Sequence, residues 1–522
     1  MKLKLMIIFL LVLSGMILGQ LKPFTYKTEN NSAEESVSIK SNTILNILAR
    51  GDSVFLATNK GLSFSFNGGL SWNNTYRTNE FGSEGINAID FHNGEIWATT
   101  AHNVTIEGES LPEGSGIRLS TDMGNTWQVI GQSVDDSGDS SMIYGVNMLR
   151  VLPVTVAINN ISYDMAVTDN AVWTANFAGG LRKTSDKGVT WQRVVLPPDY
   201  LDYITPDSVY SFSLQPVSGG FGNESYLNHR VFSIAAVDKD TLYVGTAGGI
   251  NKTTDGGKSW TKFNHTNQEN PISGNFIVAL DYNSFDGSIW AATWKAEGSD
   301  EFYAVSSSKD GGKTWQTYLA GIRAHGFAFM NKTNPNSTQV IAATDDGLFL
   351  SSPDFKEWTV PVSIYDEDKK FQVLDMQFYS AGVPAVNSDK IWAGSSGDGL
   401  AEFTQTGSGW KGNWKSLFVS EPVKSKDDAY AFPNPFAPDE ESVRIKYLIP
   451  SAGSKVTIRI LDFGMNLVRT VIQNSSKSGS TEQIDYWDGK DESGKVVPNG
   501  VYFFRIDTDE GDPQFGKVIV LM

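Results

Sequence analysis

Residues 120–127 read Ser-Thr-Asp-Met-Gly-Asn-Thr-Trp, and the chain repeats this pattern. A hydroxyl, an aspartate, a glycine, a second hydroxyl and a tryptophan recur at the same spacing as Thr184, Asp186, Gly188, Thr190 and Trp191. They return as Thr253, Asp255, Gly257, Ser259 and Trp260, and as Ser308, Asp310, Gly312, Thr314 and Trp315. A further copy keeps Ser65, Gly69, Ser71 and Trp72 but has Asn67 in the acidic position. Another is shortened to Ser352, Asp354 and Trp358, and a relic lies between Thr404 and Trp410. Such spacing suits a tight turn between two strands, in which the carboxylate accepts backbone N–H groups, glycine supplies positive φ and the first hydroxyl bonds locally. The tryptophan is expected to pack over the hairpin.

Upstream of each turn lies an alternating apolar run ending in small residues: VFLAT (54–58), EIWATT (95–100), AVWTANF (171–177), LYVGT (242–246), IWAAT (289–293), VIAAT (340–344) and IWAGS (391–395). These runs number seven. Each unit thus carries an apolar strand, the small-residue strand, a third strand entering the turn and a fourth starting at the tryptophan. Four strands per repeat make a propeller blade. The expected fold class is all-β: a seven-bladed β-propeller followed by a small Ig-like β-sandwich.

The turns resemble the Asp-box, or BNR, repeats of sialidases, sortilin-type receptors, xyloglucanases and the photosystem II assembly factor family, over residues 41–424. In those families the box lies on the blade periphery, away from the ligand site. The resemblance therefore implies a structural role for Asn67, Asp122, Asp186, Asp255, Asp310 and Asp354, and for Trp72, Trp127, Trp191, Trp260, Trp315 and Trp358.

The repeats stop near Ser425, where a polar linker (425–430) leads into a second domain over 431–522. Alternation at Val456, Ile458 and Ile460, at Val501, Phe503 and Arg505, and at Val518 and Val520 predicts paired antiparallel strands of a sandwich. The segments Pro433-Asn434-Pro435-Phe436, Trp487-Asp488-Gly489 and Pro498-Asn499-Gly500-Val501-Tyr502, with the terminal strand Lys517-Val518-Ile519-Val520, resemble the Ig-like domain of flagellar hook-capping proteins. They also resemble the type IX secretion sorting domain. The latter resemblance implies passage through the outer membrane by way of its secretion machinery. Asp485, Asp488 and Asp491 lack the spacing of a calcium loop and read as hairpin-turn residues.

Residues 1–19 read as a signal peptide, with Lys2 and Lys4 ahead of the apolar run Leu5–Leu13 and Gly19 at the cleavage region. A lead segment (20–40) follows. No other segment could span a bilayer, so no transmembrane anchor is expected after signal removal. The 42 Lys and Arg against 59 Asp and Glu give a net charge of -17, which repels phosphate backbones and makes nucleic acid an unsuitable partner. The chain has no cysteine, which removes disulfides, thiol chemistry and Cys-containing zinc sites together.

His92, His102, His229, His265 and His325 show no zinc-site spacing, and no G-x-S-x-G or phosphate-binding glycine loop is present; the Gly219–Gly222 stretch fits neither. No metal, cofactor or catalytic residue is assigned. A sialidase would need an Arg-Ile-Pro motif that is missing, whereas glycoside hydrolysis by two opposed carboxylates stays open. The leading expectation is a binding or scaffold protein at or outside the cell surface, taking an extracellular glycan or protein ligand. A secreted glycoside hydrolase and a periplasmic assembly factor are the alternatives. On the face formed by the loops between second and third strands and between blades, the candidate ligand residues are His102 in a long loop, Trp294, Lys295, Tyr200, Tyr203, Arg230, Arg323 and His325. Clustered aromatics with a few polar groups suit a sugar or a peptide.

Overall fold

The computed structural model describes residues 35–36, 38–216, 225–333, 338–368, 371–419, 423, 425, 429–432, 434–438, 442–477 and 482–521. The expected signal peptide, most of the lead segment, residues 426–428 of the linker, Gly219–Gly222 and Pro433 lie outside them. The chain is all-β, a seven-bladed β-propeller followed by a small Ig-like β-sandwich, and it divides into two compact units after Val419.

Blade one runs from inside to outside as Ile44–Arg50, Ser53–Thr58, Gly61–Ser65 and Trp72–Asn74, and blade two as Gly85–His92, Glu95–Ile106, Glu109–Ser120 and Gln128–Ile130. Blades three to seven repeat this order over 162–193, 231–263, 276–318, 324–359 and 378–417. The seven small-residue runs are the second strands. Each ends in a polar side chain that locks the following hairpin. Thr58, Thr100, Thr246 and Thr344 donate through Oγ1 to the carbonyls of Gly61, Gly116, Gly249 and Gly347 at 2.7, 3.1, 2.9 and 2.8 Å. Asn176, Thr293 and Ser395 do the same toward Gly180, Ala304 and Gly399. Small residues precede them because these strands are sandwiched on both faces: Ala57, Ala98, Ala175, Ala291 and Ala343 are fully buried.

The turn after the third strand has the geometry its spacing predicts. Asp122 accepts the N–H of Thr126 at 2.9 Å, the Thr126 hydroxyl at 2.6 Å and the Ser120 hydroxyl at 2.8 Å, while Trp127 donates its indole N–H to the carbonyl of Gly124 at 3.1 Å. The hydroxyl and N–H of Thr190 hold the Asp186 carboxyl down to about 2. Asn67 substitutes by accepting the N–H of Ser71 and donating to its hydroxyl. These turns also join neighbouring blades. A methyl on Gly124 would lie 2.5 Å from the Phe64 ring of blade one, one on Gly257 2.9 Å from Trp173 of blade three, and one on Gly312 2.5 Å from Phe263 of blade four. Gly69 sits in the same way on Trp392 of blade seven. In the shortened turn of blade six, Phe355 packs edge-on against Trp290 of blade five.

Blades one and seven each keep all four of their own strands, so the ring closes without strand exchange. Asn42 makes the polar link between the first and last blades. It donates through Nδ2 to the carbonyl of Val419 at 2.7 Å, accepts the N–H of Val419 at 2.7 Å, and accepts the N–H of Gly399 through its own carbonyl at 2.8 Å. Ile39, Ile44, Trp72, Trp392 and Leu400 form the apolar side of this seam. Asn42→Ala removes both side-chain bonds and leaves the Val419 groups to find other partners, so a loss of about 2 kcal/mol in urea-induced unfolding is expected. A variant as stable as wild type would mean that the apolar contacts alone close the ring.

An added strand, Glu35–Ser36, extends the outer edge of blade one, and Tyr203–Ile204 extends that of blade four by pairing with Trp260 and Thr261. A separate sheet of Ser141–Tyr144, Asn147–Val151 and Ser213–Leu214 packs through Tyr144, Leu149 and Leu214 in the core shared by blades three and four.

In the second unit, Tyr430–Phe432, Val443–Leu448 and Glu482–Trp487 form one sheet, and Leu467–Ser476, Lys455–Leu461, Gly500–Thr508 and Gln514–Val520 the other. Val456, Ile458, Ile460, Val518 and Val520 are buried as expected. The strand Gly500–Thr508 forms, but with the opposite face inward. Tyr502, Phe504 and Ile506 are in the core, while Val501 is exposed and Phe503 and Arg505 are half-buried. Pairing of Ile458 with Ile506 and of Ile460 with Phe504 sets this phase, which the sequence leaves ambiguous because both phases contain apolar residues. Asp485 is a buried strand residue bonded to the Tyr447 hydroxyl and Lys477, both at 2.6 Å, and Asp491 caps the turn at Ser493 and Lys495.

Candidate functional site

The innermost strands of the seven blades surround a central channel of about 860 Å3. In every one of them the ladder to the second strand slips near its start: between Ile44 and Asn46, Ile86 and Ile89, Ser162 and Asp164, Val231 and Ser233, Ile277 and Ala279, Ala324 and Gly326, and Phe378 and Ser380. A bulge re-aims the extra side chain. Blade two skips Asn87 and the fully buried Ala88; Leu45, Asn87, Tyr163, Phe232, Val278, His325 and Tyr379 line the channel, and because each lies near the start of its strand they form a ring toward one mouth.

On the side of blades three to seven this ring continues into an aromatic belt. Tyr163 meets Phe232 at 5.1 Å between centroids, Phe232 meets Phe276 at 4.6 Å, Phe276 meets Trp294 at 6.0 Å, Trp294 meets His325 at 5.4 Å, and His325 meets Tyr379 at 5.2 Å. Two guanidiniums lie on its margin: Arg230 over Phe177, and Arg323 over both Tyr303 (4.6 Å) and Trp294 (5.9 Å). Trp294 is itself buried and donates its indole N–H to the carbonyl of Ala324 at 2.9 Å. The loop after it is folded around the buried Glu301, which accepts the N–H groups of Asn275, Ala296 and Gly298 and the side-chain amide of Asn275.

A polar network occupies the rim between blades six and seven. His325 shares a 2.6 Å hydrogen bond between Nε2 and Oδ1 of Asp345, and the same oxygen accepts Nε2 of Gln377 at 2.7 Å. The Tyr379 hydroxyl donates to Gln377 at 3.2 Å. Arg323 reaches Oδ2 of Asp345 only at 3.8 Å and the Tyr303 hydroxyl at 3.4 Å. Although burial works against its charge, bonds from His325 and Gln377 hold the Asp345 carboxyl below its ordinary value, while burial pushes the Tyr379 hydroxyl up to about 12.

Deeper in the channel, three aspartates tie each innermost strand to the next blade. Asp90 accepts the N–H of Val167 at 2.7 Å, Asp164 that of Ile234 at 2.8 Å and Asp281 that of Phe327 at 3.2 Å. Burial pushes Asp164 up to about 7 and Asp281 up to about 8, and the neighbouring carboxylates Asp90 and Asp164 add to these respective shifts.

Of the residues singled out in the sequence, Trp294, Arg230, Arg323 and His325 belong to the belt and its rim, and Lys295 follows Trp294 as an exposed residue. His102 is held apart from them. It lies in a strand of the long hairpin Glu95–Ser120 rather than in a loop, between Glu84 (3.1 Å), Ser115 (2.8 Å) and Glu113 (3.2 Å). Tyr203 lies on the outer edge of blade four, away from the mouth, because the insertion folds back to pair with the tryptophan strand. Tyr200 is exposed and touches Tyr226. Burial holds His229 neutral by lowering it to about 4. Sequence reading missed Tyr163, Phe232, Asp345, Gln377 and Tyr379. Among the described residues no cluster of metal-ligating side chains is present.

Residues 435–512 match the family model of the FlgD Ig-like domain. No curated protein sequence matches the chain. Among solved structures, YCF48 bound to D1 peptide is similar at 15% identity and a TM-score of 0.40, over 71% of this chain and 94% of that one. YCF48 from Cyanidioschyzon merolae is similar at 14% identity and a TM-score of 0.40, over 70% and 97%. PorZ of Porphyromonas gingivalis, an essential bacterial surface component of the type-IX secretion system, gives 12% identity and a TM-score of 0.27 over 92% and 87%.

Proposed function

We propose that this chain is an exported binding or scaffold protein. Its propeller receives a ligand at the channel mouth, its turns are Asp boxes that hold the blades, and its C-terminal sandwich is a type IX-like sorting domain that engages the outer-membrane secretion machinery. The observation that carries the binding role is the rim of Arg323, His325, Asp345 and Tyr379. It sets polar groups against an aromatic belt at the opening of an 860 Å3 channel, the size and mixed chemistry of a ligand pocket. Export is supported by the signal-like residues 1–19 and by the FlgD-like match at 435–512.

In a host with type IX machinery, the full-length chain is expected on the surface or in the medium, and a chain ending at Asp428 in the periplasm. Fractionation with intact-mass measurement decides this. Retention of both forms in the periplasm would reject the sorting role and favour a periplasmic one. For the mouth, a printed array of glycans and peptides should show a ligand bound by the wild-type chain and lost in Tyr379→Ala. If every interaction survives that substitution, the ligand site lies elsewhere.

A further inference from the structure

We infer that the ligand of this mouth is a neutral saccharide, gripped by a hexose whose adjacent hydroxyls bridge Arg323 and Asp345 and whose C–H face lies against Tyr379; this rests on the binding role proposed above. The argument comes from hydrogen-bonding capacity that the protein leaves unspent. Arg323 carries five N–H donors, yet among the described residues its side-chain polar contacts are the 3.4 Å approach to Tyr303 and the 3.8 Å approach to Asp345. Oδ2 of Asp345 has that same long contact, whereas its Oδ1 is engaged by His325 and Gln377. Nδ1 of His325 makes no hydrogen bond to a described residue. Here a donor fork, an open carboxylate oxygen and an imidazole nitrogen stand together at 40, 22 and 14% side-chain exposure, open enough for a ligand to reach all three.

Each sugar hydroxyl both donates and accepts, so two adjacent hydroxyls match a guanidinium beside a carboxylate, one receiving from Arg323 and the other giving to Asp345. An extended peptide presents the N–H and C=O of every second residue on one side, about 7 Å from the next such pair, whereas vicinal hydroxyls sit within about 3 Å of each other and match the 3.8 Å spacing of Arg323 and Asp345 more closely. Gln377 has both ends of its amide spent, on Asp345 and Tyr379, and so fixes the two groups that face the ligand. Stacking of Arg323 on Tyr303 and Trp294 holds the fork in place before the ligand arrives, which lowers the ordering cost of binding. Net charge decides against an acidic polymer: at -17 the chain repels polyanions, and the rim itself contains a carboxylate.

The test uses the full chain on an array of neutral β-glucan, xylan and mannan oligosaccharides, oligogalacturonates and peptides, with calorimetric titration of each hit. Arg323→Met keeps the stem and removes the fork, and His325→Gln is a second variant; melting temperatures check that both fold. The expected result is a neutral oligosaccharide that binds wild type and weakens at least tenfold in Arg323→Met, with a smaller loss in His325→Gln. If the ligands that depend on Tyr379 are peptides or oligogalacturonates, the saccharide inference is overturned while the binding role of the mouth stands. If nothing bound depends on Tyr379 or Arg323, both are overturned.

Discussion

Gly312→Ala should destabilise the propeller by about 3 kcal/mol, whereas Gly311→Ala, one residue earlier in the same turn, should cost only about 1 kcal/mol. Both glycines have positive φ (98° and 78°), so both alanines meet the backbone penalty of the left-handed region, roughly 1–2 kcal/mol. They differ in what the new methyl meets. At Gly311 it is the Nζ of Lys252 at 2.6 Å, the end of a flexible side chain that can swing aside. At Gly312 it is the Phe263 ring at 2.5 Å, inside the packing between blades four and five, where overpacking costs about 1–3 kcal/mol. Phe263→Leu opens that space. In its background the cost of Gly312→Ala should fall toward that of Gly311→Ala, a coupling of about 2 kcal/mol in a double-mutant cycle. Equal costs for the two glycines in the wild-type background would show that the turn does not act as a seam between blades.

A second large effect is expected in the channel. An aspartate in an unfolded chain titrates near 4, and folded Asp281 keeps its proton up to about 8. Between these values the unfolded chain has released a proton that the folded chain still holds, so stability falls as pH rises from about 4 and levels off above about 8. Asp281→Asn removes this dependence while still presenting an oxygen to the N–H of Phe327. Relative to wild type, the variant should gain about 2 kcal/mol between pH 4.5 and 8.5. An unscreened shift of this size would give roughly 5, but the channel admits water to the carboxyl. Melting curves of both proteins across this range test it, and a constant difference between them would mean that Asp281 is ionised throughout.

The blades and their turns were legible in the sequence because the chemistry of each is local. Asp122, Gly124 and Trp127 satisfy one another within eight residues, and the small-residue runs announce strands buried on both faces. The mouth was only half legible. Trp294 and Arg323 drew attention as an aromatic and a cation beside strand ends, but their partners Asp345, Gln377 and Tyr379 come from segments whose proximity depends on blade order. The bulges that aim Tyr163, Phe232 and Tyr379 inward are offsets between two strands, a property of their pairing rather than of either strand read alone. Tyr203 misled for a related reason: in a Tyr-rich insertion, local composition does not reveal which edge the chain returns to.

The docking of turns on neighbouring blades has a direction, and that direction bears on assembly. The turn of blade two rests on blade one, that of blade four on blade three and that of blade five on blade four, so each newly formed blade finds its support in chain that was synthesised before it. Every blade is a contiguous segment dominated by short-range pairing, which favours rapid local folding. A chain emerging from a pore with its amino end first can therefore add blades in order, like courses of masonry. The exception is the seam where Gly69 meets Trp392 and Asn42 meets Val419, which has no support until the last blade arrives. Until then the partial ring leaves Trp72 and Ile44 uncovered at its open edge, so the last blade closes the apolar seam as well as the polar one.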